Sequence, residues 1–144
     1  MYKSYHELGN QNENRQSNYS VVDISSGQNK SDIISSNQIV CVDIYADWCG
    51  PCKQSEPAFS SLAEKYTKQG LCAIVKENHE KGLSPEVGGL PTYHFYVNGQ
   101  KTKDEVVGAN IPEVEGILIK LLDTVENIKS NIPQYGRNVI RNFR

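Results

Sequence analysis

The stretch Trp48-Cys49-Gly50-Pro51-Cys52-Lys53 decides the fold of this chain of 144 residues. It follows an apolar run that contains one carboxylate, Ile39-Val40-Cys41-Val42-Asp43-Ile44-Tyr45-Ala46, and it precedes a segment with helical periodicity. A buried strand, a CxxC pair and then a helix place the first cysteine at the helix start. There the unpaired backbone N–H groups and the helix dipole favour a thiolate over a thiol. The pattern therefore predicts a redox-active pair of cysteines.

A metal site is the alternative interpretation of Cys49 and Cys52. Zinc needs four ligands, and the sequence has no second CxxC motif. The remaining cysteines, Cys41 and Cys72, lie in apolar runs that read as strands. We expect both to be free, buried thiols, because a bridge between adjacent parallel strands would strain ordinary disulfide geometry. The residues thus favour a dithiol and no metal.

Length and composition limit the class of protein. The chain is long enough for one domain with a substantial core, and its net charge of −2 gives no reason to expect nucleic acid or an anionic membrane as a partner. No apolar run is long enough to span a bilayer, and residues 1–8 lack the apolar stretch of a secretory signal. We therefore expect a reducing, cytoplasmic location, where a CxxC is more often catalytic or metal-binding than a structural disulfide.

The central stretch and four further features resemble the thioredoxin family, whose active-site signature is WCGPC. Asp43 stands where that family has a buried aspartate, and Pro57 where the active-site helix of the family is kinked. Leu90-Pro91-Thr92 resembles the cis-proline loop, and Val107-Gly108-Ala109 resembles the region of a glycine in the last strand. The resemblance covers about residues 19–123, and five features in this order are far more specific than a bare CxxC.

The hydrophobic pattern predicts the order β-α-β-α-β, then a hairpin, then a helix. Residues 1–18 are predicted to be a disordered polar tail, residues 19–130 the domain, and residues 131–144 a basic C-terminal extension. Strands are predicted at 19–24, 38–46, 71–76, 92–97 and 101–107, and helices at 30–36, 49–68 and 112–131. The Asn98-Gly99 pair predicts a tight hairpin turn.

The resemblance implies the thioredoxin fold, an α/β arrangement with a central mixed β-sheet and helices on both faces. Residues 77–89 contain three glycines and one proline, which predicts a loop with at most one helical turn. The third helix of the family is therefore expected to be reduced. Because this loop lines one side of the substrate groove in the family, its shortening puts the family's substrate specificity in doubt for this chain.

The resemblance also assigns roles to the site residues. It implies that Cys49 is the exposed nucleophile, that Cys52 is the buried resolving thiol, and that Asp43 accepts the proton of Cys52. For Lys76, a role as the partner of Asp43 and a solvated position at a strand end are equally supported. The residues expected to support the active site and the substrate groove are Trp48, Gly50, Pro51, Lys53, Lys76, Leu90, Pro91 and Gly108, with the Leu90–Pro91 peptide bond cis. His79 and His94 are expected to be satisfied or solvated, without a ligand role.

The function implied is reduction of protein disulfides through a Cys49–Cys52 dithiol–disulfide cycle, a form of electron transport that serves cell redox homeostasis. The expected electron donor is an NADPH-dependent thioredoxin reductase, and the chain is expected to act as a monomer without a bound cofactor. Two alternatives remain open at this point. A disulfide isomerase or oxidase would use the same cysteines but normally carries an export signal. A redox-independent binding subunit of a larger assembly would not need the cysteines.

Overall fold

The computed structural model describes residues 19–131 and forms a five-stranded sheet with three α-helices. None of the helices in this range is long and apolar enough to cross a membrane. The predictions for residues 1–18 and 132–144 lie outside the described part. The elements are β1 (Val22–Asp23), α1 (Gly27–Ser36), β2 (Ile39–Tyr45), α2 (Gly50–Tyr66), β3 (Cys72–Asn78), a 3-10 turn (His79–Lys81), β4 (Thr92–Val97), β5 (Gln100–Val107) and α3 (Ile111–Asn131).

The sheet is mixed, with the strand order β1-β3-β2-β4-β5. The first three strands along the chain run parallel to one another, since β3 pairs in parallel with both β1 and β2. β4 runs antiparallel to β2, and β5 antiparallel to β4. β2 therefore lies at the centre of the sheet, and the peptide that follows it carries the CxxC. This topology confirms the predicted α/β architecture with a mixed sheet.

The two faces of the sheet bury two separate apolar clusters. α2 and α3 cover one face, where Phe59, Leu118 and Leu122 pack on Cys41 and other side chains of the strands. α1 covers the opposite face over Val40, Val42 and Ile44. Because successive side chains of a strand point to opposite faces, the nearly continuous apolar run of β2 is needed to fill both layers. Helices on both faces, as predicted, leave β2 fully enclosed.

The predicted and observed bounds of β1, α1 and β3 differ most clearly, and α2 ends at Tyr66 rather than at residue 68. The first strand is only Val22–Asp23 rather than 19–24, although Tyr19 and Val21 still pack against the core. The apolar residues of 19–24 thus indicated packing against the core, although most of this segment is not paired in the sheet. α1 begins at Gly27, three residues early, because the hydroxyl of Ser26 caps it by accepting the N–H of Asn29 at 3.1 Å. β3 continues to Asn78, two residues past its predicted end.

The loop and the hairpin after β3 follow the predictions. Between β3 and β4 the chain forms only the 3-10 turn His79–Lys81, so the expected reduction of the third helix is confirmed. Asn98 and Gly99 connect β4 and β5 with φ angles of 51° and 85°. Positive φ at both central residues is the requirement of a type I′ turn, which matches the twist of the two strands. The hairpin carries Gly108, at its far end, back toward the CxxC.

Candidate active site

The two cysteines of the CxxC form a disulfide at the N-terminus of α2, with a Cα–Cα distance of 5.3 Å. Cys49 is the N-cap residue, in an extended backbone conformation, and its Sγ accepts the N–H of Cys52 at 3.1 Å. Pro51 lies in the first turn, where its missing N–H leaves no hydrogen bond unmade. The Cys49 sulfur therefore occupies the place of an N-cap oxygen, where N–H donors and the helix dipole stabilise negative charge.

Both sulfurs are shielded in this disulfide form. Cys49 is 4% exposed and Cys52 is 6% exposed, because Ala46, Tyr45 and Leu90 pack around them. The prediction of an exposed Cys49 and a buried Cys52 is therefore wrong for the exposure of Cys49. The chemical difference between the two cysteines comes from position in the helix, since one caps it and the other lies inside its first turn.

Asp43 is buried in the strand that leads to the disulfide, as predicted. It is 6% exposed between the fully buried Val42 and Ile44, and its Oδ1 has no hydrogen-bond partner within the described residues. Desolvation is the main cause that raises its pKa from 3.8 to about 7. The cation of Lys76 opposes this rise, whereas the carboxylates of Glu56 and Asp23 add to it. A carboxyl group that titrates near neutral pH is suited to accept and release a proton.

Lys76 faces the same region but pairs with a different carboxylate. It lies opposite Asp43 in the β2–β3 register, yet its Nζ forms an ion pair with Oε2 of Glu56 at 3.2 Å. The same Nζ lies 5.3 Å from the ring centroid of Tyr45. Of the two roles considered for Lys76, a direct ion pair with Asp43 is not formed, since its ion-pair partner is Glu56. Glu56 is 60% exposed, so this pair forms near water with little desolvation.

A cavity of about 150 Å³ connects Asp43 with the resolving cysteine. Its inner wall includes Asp43, Cys52 and Phe59, and its outer part includes Lys53 and Glu56. This volume is sufficient for ordered water, and the lining supplies the polar partners that a buried water needs. The cavity therefore offers a route for a proton between the thiol of Cys52 and the carboxyl of Asp43.

The other predicted site residues lie around the disulfide on two sides. The Leu90–Pro91 peptide bond is cis, as predicted, and Leu90 packs against the disulfide cluster. Gly108 has a φ of 101° and donates its N–H to the Pro91 carbonyl at 2.8 Å, which ties the end of β5 to this loop. Trp48 is 69% exposed, and its indole N–H donates to Oε2 of Glu80 at 3.1 Å. Gly50, Pro51 and Lys53 are exposed on the first turn of α2.

Sequence reasoning missed two polar side chains beside Asp43. Glu56 lies one helical turn after Cys52, so its i, i+4 spacing from that cysteine could have indicated a shared face. Tyr93 stands opposite Asp43 across β2 and β4, and its side chain is fully buried with the hydroxyl near Ser55. No signal in the sequence could have identified Tyr93, because the pairing of β2 with β4 spans a large separation along the chain.

The remaining candidate ligands do not gather into a site. Within residues 19–131 no group of three or more His, Cys, Asp or Glu side chains could hold a metal ion. Cys41 and Cys72 are free and buried, as predicted. His94 is satisfied through its Nε2, which lies 3.0 Å from Oε2 of Glu105, as expected. His79 is half-buried, and the expectation that it is satisfied or solvated is wrong for its Nε2, which is buried and lacks a hydrogen-bond partner among the described residues.

Comparison with known proteins agrees with the resemblance to thioredoxins. A family model described as thioredoxin matches residues 20–120. Thioredoxin-like protein 1 of Schizosaccharomyces pombe is 38% identical over 94 residues, which cover 63% of this chain and 32% of that protein. Thioredoxin 1 of Plasmodium falciparum is 35% identical over 89 residues, which cover 61% of this chain and 85% of that protein.

Solved structures agree with these relatives. The structure of reduced Schistosoma mansoni thioredoxin pre-protein superposes with a TM-score of 0.61 and 33% sequence identity. The superposition covers 69% of this chain and 96% of that one. The similarity thus extends over nearly the whole of a solved thioredoxin.

Proposed function

The chain belongs to the thioredoxin family and is a thiol–disulfide oxidoreductase, and from this premise we propose that it reduces protein disulfides through a mixed disulfide on Cys49. The observation that carries the proposal is the position of the two cysteines. Cys49 caps α2 and Cys52 lies in its first turn, so the helix terminus favours the thiolate of Cys49 in the reduced protein.

The proposed cycle has two exchange steps. In the first, the Cys49 thiolate attacks one sulfur of the substrate disulfide, the substrate S–S bond breaks, and the departing substrate thiolate takes up a proton. In the second, the Cys52 thiolate attacks the Cys49 sulfur and releases the other substrate thiol. The substrate has then gained two electrons, and the chain holds the Cys49–Cys52 disulfide that the structure describes.

Asp43 is proposed to prepare Cys52 for the second step. A thiol that is as buried as Cys52 resists ionisation, and only the thiolate attacks. The pKa of Asp43 near 7 leaves a large fraction of its carboxyl ionised at neutral pH, so that it can accept the proton of Cys52 across the shared cavity. The proton returns to solvent once the new disulfide has formed.

The groove beside the disulfide is proposed to bind an extended segment of the substrate. The backbone of Leu90, before the cis bond, lies next to the disulfide and could pair with such a strand. Trp48 on the other side offers a large exposed apolar surface that is fixed in place by Glu80. These features would position a substrate sulfur against Cys49 without contacts to particular side chains, which suits an enzyme with several protein substrates.

We further propose an NADPH-dependent thioredoxin reductase as the electron donor and the cytoplasm as the location. The family generally acts on disulfide substrates and is reduced by thioredoxin reductase, which supports the first point. A protein that must return to its dithiol form after each turnover needs a reducing compartment, which supports the second. Transfer of electrons from NADPH to protein disulfides would serve cell redox homeostasis.

A trapping experiment tests the cycle. With Cys52→Ser, incubation with a disulfide-bonded substrate such as insulin should give a stable mixed disulfide on Cys49, because the second step has no nucleophile. Cys49→Ser is the matched control and should give none. Trapping on Cys52, or full biological function in a Cys49→Ser, Cys52→Ser double variant, would contradict the proposal, the latter in favour of a redox-independent binding subunit.

The role of Asp43 needs a separate measurement. Asp43→Asn keeps the shape of the side chain and removes its capacity to accept a proton. Single-turnover kinetics that follow the mixed disulfide should show a slower second step at neutral pH and a first step that changes much less. If the variant resolves the mixed disulfide as fast as the wild type, Asp43 is not the proton acceptor.

A further inference from the structure

Two carboxylates compete for one ammonium group beneath the active site. Lys76 is directly opposite Asp43 in the register of two neighbouring parallel strands, and its side chain lines the cavity that also contains Asp43. Its Nζ nevertheless pairs with Glu56 at 3.2 Å, while Oδ1 of Asp43 has no hydrogen-bond partner in the part of the chain that the structure describes. Lys76 and Asp43 therefore do not form the ion pair that their opposite positions in the two strands would favour.

Two groups hold the ammonium of Lys76 away from Asp43. Glu56 supplies the ion pair from α2, one turn after Cys52. Tyr45 supplies a ring face 5.3 Å from Nζ, a distance at which a cation is attracted by an aromatic ring. The Tyr45 hydroxyl is itself fixed, because it donates to Oδ2 of Asp23 at 2.5 Å. The Lys76 side chain is therefore held outward by the ion pair with Glu56 and by the ring of Tyr45, which is itself fixed by Asp23.

We propose that Glu56 is a positioning residue that withholds the Lys76 ammonium from Asp43 and so sets the pH at which Asp43 accepts a proton from Cys52. The inference rests on the proposed role of Asp43 in the second exchange step. Glu56 does not contact the reacting sulfurs and acts only through Lys76 and through its own negative charge. Without Glu56, the flexible Lys76 side chain could turn toward the unpaired oxygen of Asp43.

Other titratable groups also surround Asp43, but none of them controls the position of a cation next to it through an ion pair. Besides Lys76 on β3 and Glu56 on α2, the titratable groups that face Asp43 are Asp23 on β1, Cys41 and Tyr45 on β2, Asp47 and Lys53 at the cavity, Cys52 in α2 and Tyr93 on β4. Asp23 adds negative charge and already accepts a hydrogen bond from Tyr45. Among these groups, Lys76 is the one whose position depends on a single exposed side chain, that of Glu56.

Direct titration of Asp43 tests the inference without any assay of activity. In the disulfide form, the side-chain carboxyl of Asp43 is followed by carbon NMR from pH 4 to pH 9 in the wild type and in Glu56→Gln, Lys76→Gln and the double variant. Glu56→Gln should lower the pKa of Asp43 by about 1, because an opposite charge gains access to it. Lys76→Gln should raise the pKa above its wild-type value of about 7.

The double variant separates the two ways in which Glu56 could act. If Glu56 works mainly by holding Lys76, its removal should shift the pKa of Asp43 much less in the Lys76→Gln background than in the wild type. An equal shift in both backgrounds, or no shift in either, would overturn the proposal. Glu64→Gln is the matched control: Glu64 is exposed on the same helix, about 12 Å farther along its axis, and its removal should leave Asp43 unaffected.

Kinetics then link the titration to the reaction. If only the ionised fraction of Asp43 limits the second step, Glu56→Gln should accelerate it up to about fivefold at pH 6 and shift the midpoint of its pH profile downward. If Glu56→Gln lowers the pKa of Asp43 but leaves the pH profile of the second step unchanged, Glu56 does control the position of Lys76. Asp43 is then not the proton acceptor. An unchanged pKa would refute the control itself, so the two failures are distinguishable.

Discussion

Replacement of Asp43 by asparagine should stabilise the protein strongly at pH 8 and hardly at all at pH 4. In the folded state burial raises the pKa of Asp43 from 3.8 to about 7, whereas in the unfolded chain the carboxyl titrates near its ordinary value. Between these values the unfolded state has lost a proton that the folded state still binds. Stability is therefore lost as the pH rises from about 4 to about 7 and stays low above that range.

The size of the effect follows from the difference between the two pKa values. A separation of about 3 pH units at 1.36 kcal/mol each gives about 4 kcal/mol of lost stability at pH 8. This is a large part of the ~5–15 kcal/mol that stabilises an ordinary domain. Asparagine has nearly the same shape and no charge, so Asp43→Asn removes the pH-dependent loss. Any cost of burying its amide group is the same at both pH values and cancels in the comparison.

Urea unfolding with the Cys49–Cys52 disulfide intact provides the assay. The free energy of unfolding of wild type and Asp43→Asn is compared at pH 4 and pH 8, and the gain from the substitution should grow by about 4 kcal/mol between them. The exposed Asp123 on α3, which does not line the cavity around Asp43, is the matched control, and Asp123→Asn should leave the pH dependence of stability unchanged. Parallel curves for wild type and Asp43→Asn would show that Asp43 titrates normally, and the reasoning on its role would fail.

Three further outcomes are expected. Gly99→Ala should cost about 1 kcal/mol in urea unfolding because φ is 85° there, whereas Gly116→Ala in the interior of α3, with open space around it, should stabilise by a similar amount; a loss at both sites would contradict this account. Burial lowers the pKa of His94 below 6.5, so stability should fall as the pH drops below 6.5, and His94→Gln, assayed by unfolding at pH 7 and pH 5, should remove this loss; equal losses would refute it. A chain of residues 19–130 should keep its circular dichroism spectrum and its reductase activity on insulin, and a folded but inactive chain would show that a terminal segment takes part in the reaction.

The parts of the fold that the sequence predicted correctly depend on patterns between residues close in the chain. The apolar stripe of α2, the Asn98-Gly99 turn and the bounds of β4 each follow from local periodicity or from backbone conformation that few residues adopt. The burial of Asp43 was also predictable, because both of its neighbours in the sequence are apolar in a strand that needs two covered faces. Such inferences do not need the identity of a distant partner.

The choice of ion-pair partner was not predictable in the same way. Strand register alone favoured Asp43 as the partner of Lys76, and that register is correct in the structure. The outcome depended instead on Glu56, which reaches the same ammonium from a helix and remains near water. A pair at the surface avoids the desolvation that a pair with the buried Asp43 would require. Solvent access thus decides which of the two carboxylates pairs with Lys76, and solvent access at a residue cannot be read from the sequence.

The same reason explains why β3 was predicted too short. Glu77 was assigned to the loop that the glycines and the proline of residues 77–89 predicted, so the strand was expected to end before it. In the structure Glu77 is 0% exposed, beneath α1, because Nζ of Lys30 lies 2.7 Å from its Oε1 and also donates to Ser84. A buried carboxylate is tolerated when a cation is brought to it, and this cation comes from 47 positions earlier in the chain. Asp43 and Glu77 therefore form a contrast within one sheet: Glu77 has a lysine ion-pair partner, whereas Asp43 forms no ion pair within the described residues and burial raises its pKa to about 7.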